Sequence, residues 1–522
     1  MMNVTHCSNA GGSIAYYLRD NAELGWRGDY IGRGCGELDL RGRPDDADVR
    51  GLIRGKGPEG EKLAQKYRED RRCLTDYTLS LPKSAAIAYA FADEEKRKAI
   101  RRVVEEAARE TATLIEEMTQ AKVKGELVHT GNAVFVPIFH EVSRSREPNL
   151  HVHLLQMNTT HRDGKWYAVE PSEAVNQTGY LRAVFHNSVA RGLVGLGYGV
   201  MPTKDNYRVI GIPGSACEKL SGGKGRIDHA QAVIEQTLQE QIEKASLEEM
   251  RGLENRLARV KSPKGRAVLA VSTRERKKYL LDPANLMKEW EAKLTPRELE
   301  AVRNCTLVEL PAGPLGKALR SMSQAVREKP RDEPLEPKLM REAFDAFMET
   351  DSRVTSEQVM THALKAGMGR VSLDRLKVEV DKLPAITHKG MLTTEAAMQD
   401  EADLVDYARK GLVAWRKEPV VGLPDASKQS MRDLAEFTRK DEGRILLLAG
   451  DARQREGQPL RVLREHGIKP IETLVYKAPK VMPAKGWKEK MRRFMKRLRT
   501  QPSHETQREV GRAQERPAGR ER

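Results

Sequence analysis

Cysteine is scarce in this 522-residue chain. Cys7, Cys35, Cys73, Cys217 and Cys305 form no Cys-x-x-Cys pair and are odd in number, which argues against a disulfide framework or a zinc ribbon and fits a reducing compartment. Long apolar runs are missing too. No uncharged stretch is long enough to cross a bilayer, and the opening MMNVTHCSNAGG lacks the apolar core of a secretory leader. Neither membrane insertion nor export by that route is expected, and the chain reads as cytoplasmic. Acidic residues are in deficit: 75 Asp and Glu face 91 Lys and Arg, a formal net charge of +16. Such an excess calls for a polyanionic partner such as nucleic acid, with a merely basic soluble surface as the bland alternative. There is no internal repeat.

The length allows two to four domains. Residues 1–214 alternate strand-like and helix-like patterns and read as one compact α/β unit. In TDYTLSLPKS, Asp76, Thr78 and Ser80 alternate against Tyr77, Leu79 and Leu81 until Pro82 ends the strand. Ile100, Val103, Val104, Ala107, Leu114, Ile115 and Met118 then recur at helical spacing. NAVFVPIFHEV (132–142) is β-branched and aromatic, and SREPN turns the chain back into HVHLLQMN. Residues 215–300 are highly charged helix, 301–338 a Pro-rich linker, 339–480 a second, mostly helical region, and 481–522 a tail with 13 basic against 5 acidic residues, expected to be partly disordered.

Chemistry gathers in the first region. His151 and His153, two residues apart on a strand, project to the same side, and a short connection lets His140 approach them across the strand pair. A lone His-x-His is a weak signal, but three neutral imidazoles can hold a divalent ion and leave its other positions open. Tyr16 and Tyr17 are adjacent in GGSIAYYLRDNA, and a phenol becomes a nucleophile once helped to lose its proton. Asp76 lies on the polar face of its strand and can orient a tyrosine hydroxyl or a ligand histidine. A metal ion polarising a phosphodiester, with a tyrosine to attack it, makes a phosphoryl-transfer site. Alternatively, the histidines belong to a cupin-like or zinc-hydrolase site, and the tyrosines and the aspartate are ordinary packing and a solvated face.

AYYLRDN, TDYTLSLPKS, FHEVSRSREPNLHVHLLQMN and GKWYAV resemble, in that order, the motifs of conjugative relaxases of the TrwC/TraI (MobF) type within the HUH endonucleases. The resemblance implies an α/β (α+β) HUH-endonuclease sandwich, a central antiparallel sheet with flanking helices, followed by helical appendages. It implies a site- and strand-specific nickase that attacks single-stranded DNA at a transfer origin, forms a 5′-phosphotyrosine adduct and starts conjugative transfer. Tyr16 matches the nucleophile and Asp76 the residue assisting it, with Tyr17 its neighbour. His140, His151 and His153 match the metal triad, with Mg²⁺ or Mn²⁺ the first expectation, although three imidazoles also accept Zn²⁺, Ni²⁺ or Cu²⁺. Lys83, Arg144 and Arg146 match DNA phosphate contacts. The implied partners are the transfer-origin strand, relaxosome accessory proteins and a type IV secretion coupling protein, with export bound to DNA. Many members carry a second tyrosine pair. Here RDNAELGWRGDYIGRG offers Tyr30, which aligns better with a structural aromatic, so a second strand transfer falls to Tyr17 or another copy.

In such relaxases, residues 215–300 would be DNA-clasping fingers and residues 339–480 the start of a superfamily 1 helicase. Gly422 and Lys428 stand where a phosphate-binding loop is expected, without its second glycine or the Ser/Thr after the lysine. A truncated helicase remnant without ATPase activity is therefore expected, and the basic tail is a DNA-binding, export or solubilising segment. A replication or transposition initiator of the same fold, or a catalytically silent DNA-binding adaptor, are the competing readings.

Overall fold

The computed structural model describes residues 2–19, 25–63, 71–273, 282–307, 334–388 and 390–399, with residues 317, 318, 321 and 402 and the strands Arg444–Leu448 and Thr473–Lys477. The chain divides into two units, Met1–Leu339 with Met360–Lys377, and Met340–Val359 with Val378–Arg522.

The first unit is built on an antiparallel five-stranded sheet. Its strands are β1 (Met2–Cys7), β2 (Gly25–Arg27), β3 (Leu74–Ser80), β6 (Phe135–Val142) and β7 (Pro148–Met157), in spatial order β1-β3-β7-β6-β2. Between β3 and β6 come the hairpin β4 (Gln120–Val123) and β5 (Glu126–His129). β7 is central, which explains why PNLHVHLLQM is largely buried on both sides even at polar positions such as His153 and Gln156. Strand alternation sorts its residues: Leu150, Val152 and Leu154 go to one face, His151, His153, Leu155 and Met157 to the other.

The first face is covered by α4 (Lys83–Ala90), α5 (Glu94–Glu117) and α7 (Thr178–Gly195). α5 begins where the Asp93 carboxylate accepts the Lys96 N–H at 2.9 Å, an N-cap, and buries Ile100, Val104, Ala107, Leu114 and Ile115 at helical spacing. Of these, Ile100, Val104 and Ala107 join Leu79, Phe139, Leu150 and Val152 in one core. The opposite face carries α1 (Ala10–Arg19) and α3 (Asp46–Arg54), whose Ile14, Tyr17, Leu18, Val49 and Leu52 pack on Leu74, Val136, Ile138, Leu155 and Met157. Asn9 begins α1 by accepting the Gly12 N–H at 2.8 Å. Along this second face the strand residues change from apolar to polar, and the site lies at the polar end.

A tight turn leads into the short α2 (Arg33–Gly36). Gly32 there has φ +109°, and a Cβ would fall 2.3 Å from the Ala133 carbonyl oxygen. The turn delivers the Arg33 N–H, and the segment just before β6 the Ala133 N–H, to the Glu116 carboxylate at 2.7 and 2.8 Å. Gly32→Ala is expected to cost about 3 kcal/mol, a conformation open to glycine compounded by a backbone clash. A lowered thermal midpoint would register it, and an unchanged midpoint would show that the turn relaxes freely.

Smaller elements complete the unit: the hairpin β8 (Thr160–Arg162) and β9 (Lys165–Tyr167), β10 (Val169–Glu170) beside β4, α6 (Ser172–Asn176), the pair β11 (Val200–Pro202) and β12 (Tyr207–Val209), and α8 (Gly214–Lys219). Three charged helices follow, α9 (Gly222–Lys244), α10 (Leu247–Lys261) and α11 (Pro263–Ser272), packed on one another. The next helices, which begin within the same 215–300 stretch, pack differently. α12 (Pro283–Ala292) and α13 (Pro296–Arg303) bury Leu286, Trp290 and Val302 in the same core as Leu79 and Val152, and Thr306 bridges to Tyr198. The reason is the i, i+4 spacing of Leu286 and Trp290, an apolar stripe that the charge-rich composition of the region conceals. Beyond the expected linker, Met360–Lys377 also belongs with this unit: the Asn187 side chain donates to Val371 O at 3.0 Å and accepts from Gly369 N at 2.9 Å.

In the second unit, Val354–Thr355, Met391–Thr393 and Ile386–His388 form an antiparallel three-stranded sheet in that order. Arg444–Leu448 pairs antiparallel with Thr473–Lys477. The Gly422–Lys428 stretch and the basic tail lie outside the described residues. Among the described residues no helix is long and apolar enough to cross a membrane.

Candidate active site

β6 and β7 set the three histidines together by register. His140 is directly opposite His151, and Ile138 opposite His153. The imidazole centroids lie 5.3 Å (His140–His151), 5.1 Å (His140–His153) and 5.1 Å (His151–His153) apart. One ring nitrogen from each falls within 4.8 Å of the others. Three nitrogens on one small divalent ion lie roughly 3.4 Å apart, given metal–nitrogen bonds of about 2.1 Å, so modest ring rotations close the set.

Two of the rings have their tautomer chosen for them. His153 Nδ1 is 2.7 Å from the Asp76 carboxylate, and both side chains are buried. His151 Nδ1 is 2.7 Å from the Asn149 carbonyl oxygen. An Nδ1–H donated to oxygen leaves the lone pair on Nε2, the nitrogen that would bind metal. The donor set, its spacing and these anchoring oxygens fit a divalent ion.

Asp76 does more than orient His153. Its carboxylate also accepts the Tyr17 hydroxyl at 2.8 Å and lies 3.2 Å from Thr78 Oγ1, which in turn is 3.3 Å from His153 Nδ1. Tyr17 is 3% exposed, with Cys7 Sγ 3.8 Å from its hydroxyl. Burial, followed by the Asp76 charge, pushes the Tyr17 phenol far above the ordinary tyrosine range, so it stays protonated.

Tyr16 is one residue and about 100° further round the helix. Since Ile14, Tyr17 and Leu18 form the buried stripe of α1, Tyr16 is left half-buried at its edge. Its ring meets Tyr17 edge-on at 4.8 Å and lies 6.1 Å from His153, centroid to centroid. Arg144 Nη2 donates to the Tyr16 hydroxyl at 3.2 Å, with the guanidinium carbon 5.6 Å from the ring centre. The two adjacent phenols are thus chemically distinct: one is a buried donor to a carboxylate, the other stands at the surface beside a cation and the histidines.

Asp76, expected from the sequence to assist Tyr16, accepts the hydroxyl of the neighbouring Tyr17. Of the basic residues, Arg144 is brought to Tyr16, while Lys83 and Arg146 are committed within the protein. Lys83 Nζ donates to the carbonyls of Pro148 and Leu220, each at 2.9 Å, with Glu147 at 4.0 Å. Its burial pulls the ammonium below the usual lysine range, opposed by Glu147. Arg146 forms an ion pair with Glu289. Tyr30 is buried in the core beneath α3, as a structural aromatic. Asn149 and Thr78 join the site unannounced. Thr78 was legible through its two-residue spacing from Asp76, whereas Asn149 contributes a backbone oxygen, which no residue type signals.

A family model described as TrwC relaxase matches residues 3–296. The Multifunctional conjugation protein TraI of Escherichia coli (strain K12) is 26% identical over 499 residues, covering 90% of this chain and 26% of that protein. A second Escherichia coli protein of the same description is 25% identical over 503 residues, with the same coverages. The chain therefore spans 26% of the length of these curated relatives. Among solved structures, the conjugative relaxase TrwC in complex with oriT DNA, metal-bound, is 29% identical with a TM-score of 0.47, covering 56% of this chain and 97% of that one. The metal-free complex is 27% identical with a TM-score of 0.46, covering 56% and 97%.

Proposed function

We propose, for a chain that belongs to the TrwC relaxase family, that it nicks one DNA strand at a transfer origin through attack by Tyr16 and so starts conjugative transfer. The observation that carries this reading is the placement of the Tyr16 hydroxyl beside Arg144 at the edge of the histidine triad.

The substrate is a phosphodiester in single-stranded DNA. Tyr16 Oη bonds to phosphorus, the bond from phosphorus to the 3′ oxygen breaks, and the proton given up by the phenol is balanced by one gained at the 3′ oxygen. One phosphodiester replaces another, so the step is close to energetically neutral and can be reversed to reseal the strand. Arg144 counters charge on the attacking oxygen and the phosphate, as a guanidinium beside a phosphoryl group does. A divalent ion held by His140, His151 and His153 would polarise the phosphate. Between Mg²⁺ and Mn²⁺, an all-imidazole donor set favours Mn²⁺, because Mg²⁺ prefers oxygen ligands. Asp76 keeps His153 presenting Nε2, and Tyr17 shares that carboxylate.

Single-stranded oligonucleotides tiling the transfer-origin region of the DNA element that carries this chain test the reading. With Mn²⁺, one strand should yield a denaturation-resistant protein–DNA adduct mapping to Tyr16, and EDTA should suppress it. Salt-sensitive DNA binding without an adduct on any strand would reject nicking in favour of a binding role.

A further inference from the structure

The loop between β6 and β7, Arg144-Ser145-Arg146, is closed by hydrogen bonds from Ser143 N to Glu147 O and from Arg146 N to Ser143 O, both 2.9 Å. Arg146 has φ +61°, the left-handed position that a three-residue hairpin loop commonly gives to glycine. An arginine held there is used at both ends. Its guanidinium pairs with Glu289, and its carbonyl accepts the Trp290 indole N–H at 2.7 Å, both partners lying on α12. From α9, Arg226 donates to Ser145 Oγ. Glu147 is buried where α9 begins: a Cβ on Gly222 would meet its Oε1 at 2.7 Å. The loop is therefore gripped by α9, the first of the three charged helices, and by α12, the first helix after them. Its first residue is Arg144, the cation at Tyr16.

We infer that Trp290 and Glu289, acting on Arg146, are positioning residues for strand cleavage: they hold the loop so that Arg144 stays against the Tyr16 oxygen, tying the active site to α12, the helix that follows the three charged ones. The inference rests on the reading of Tyr16 as nucleophile. A grip that served stability alone would have no reason to act through Arg144.

The test uses the full chain and the oligonucleotide that gives an adduct with the unaltered protein. Single-turnover adduct rates are measured at saturating oligonucleotide, and its Kd by fluorescence anisotropy, for Trp290→Phe, Glu289→Gln, Arg146→Gly and Arg144→Gln, alone and combined. Arg144→Gln should slow the step about 100-fold, as loss of one charge-stabilising donor does. Trp290→Phe keeps the ring packing but loses the donor, and should slow it about 10-fold with an unchanged Kd, Glu289→Gln somewhat less. Arg146→Gly removes the ion pair while relieving the left-handed backbone, so it should slow cleavage without lowering the thermal midpoint. In the Arg144→Gln background these changes should have almost no further effect, the signature of action through one residue. Equal slowing with and without Arg144, or unchanged rates in all three loop-grip variants, overturns the inference and leaves the nicking reading intact. An unaltered protein that forms no adduct overturns both.

Discussion

Tyr16→Phe is expected to abolish covalent capture of DNA, a fall of at least about three orders of magnitude, because no other group replaces the lost oxygen. Tyr17→Phe should retain capture within about tenfold and cost about 1 kcal/mol of stability, the worth of one hydrogen bond whose acceptor keeps other partners. The asymmetry follows from the two environments. Tyr17 is 3% exposed and donates to Asp76, and its phenol is pushed far up by burial and by that charge, so its proton is the hardest to remove. Tyr16 stands half-buried, and the Arg144 guanidinium donates to its oxygen at 3.2 Å. The measurement is the adduct band for both variants on the same oligonucleotide, with thermal midpoints as a check on folding. Capture retained by Tyr16→Phe and lost by Tyr17→Phe would reverse the roles.

Asp76→Asn should have the second-largest effect. Two donors, the Tyr17 hydroxyl and His153 Nδ1, converge on one carboxylate, with Thr78 beside them. Both donors reach the same carboxylate oxygen, so the amide keeps them only by presenting its one oxygen there, now without the charge, and with its N–H₂ turned to that place both lose their acceptor. If His153 responds by exchanging its tautomer, a proton occupies the nitrogen meant for the metal. Metal affinity is expected to fall about 10- to 100-fold, the usual result of removing an outer carboxylate partner from a ligand histidine. Titration of Mn²⁺ followed by electron paramagnetic resonance reads this directly. Adduct formation should recover in part at high Mn²⁺. An affinity equal to that of the unaltered protein would mean that His153 holds its orientation without the aspartate, and that Asp76 serves Tyr17 alone.

Much of the site was legible because strands leave a simple trace. Two-residue alternation put Asp76 with Thr78 and His151 with His153, and the short SREPN turn made it possible for His140 to meet them; the observed register sets His140 opposite His151. Helices obeyed their periodicity where one face was buried, as in α5. Legibility failed where position depends on packing between distant segments. Lys83 and Arg146 match phosphate ligands by residue type, and what their order does not reveal is that Lys83 donates to two carbonyls beside Glu147 and that Arg146 pairs with Glu289, on a helix 143 residues further along the chain. The same holds for α12, whose composition suggests a solvated arm but whose Leu286 and Trp290 complete the core.

By itself, then, the amino-acid order determined the inventory and its local geometry: three imidazoles on a strand pair, an aspartate on a neighbouring strand, two phenols on one helix, and a basic chain suited to a polyanion. Those are consequences of bond lengths and backbone periods, which act over a few residues. The tertiary structure decided which phenol is buried against Asp76, which arginine reaches the other, and what holds that arginine in place. Each of these depends on how α1 rotates onto the sheet and where α9 and α12 close on the β6–β7 loop, and that is settled by burial and hydrogen bonding among segments 59 to 143 residues apart.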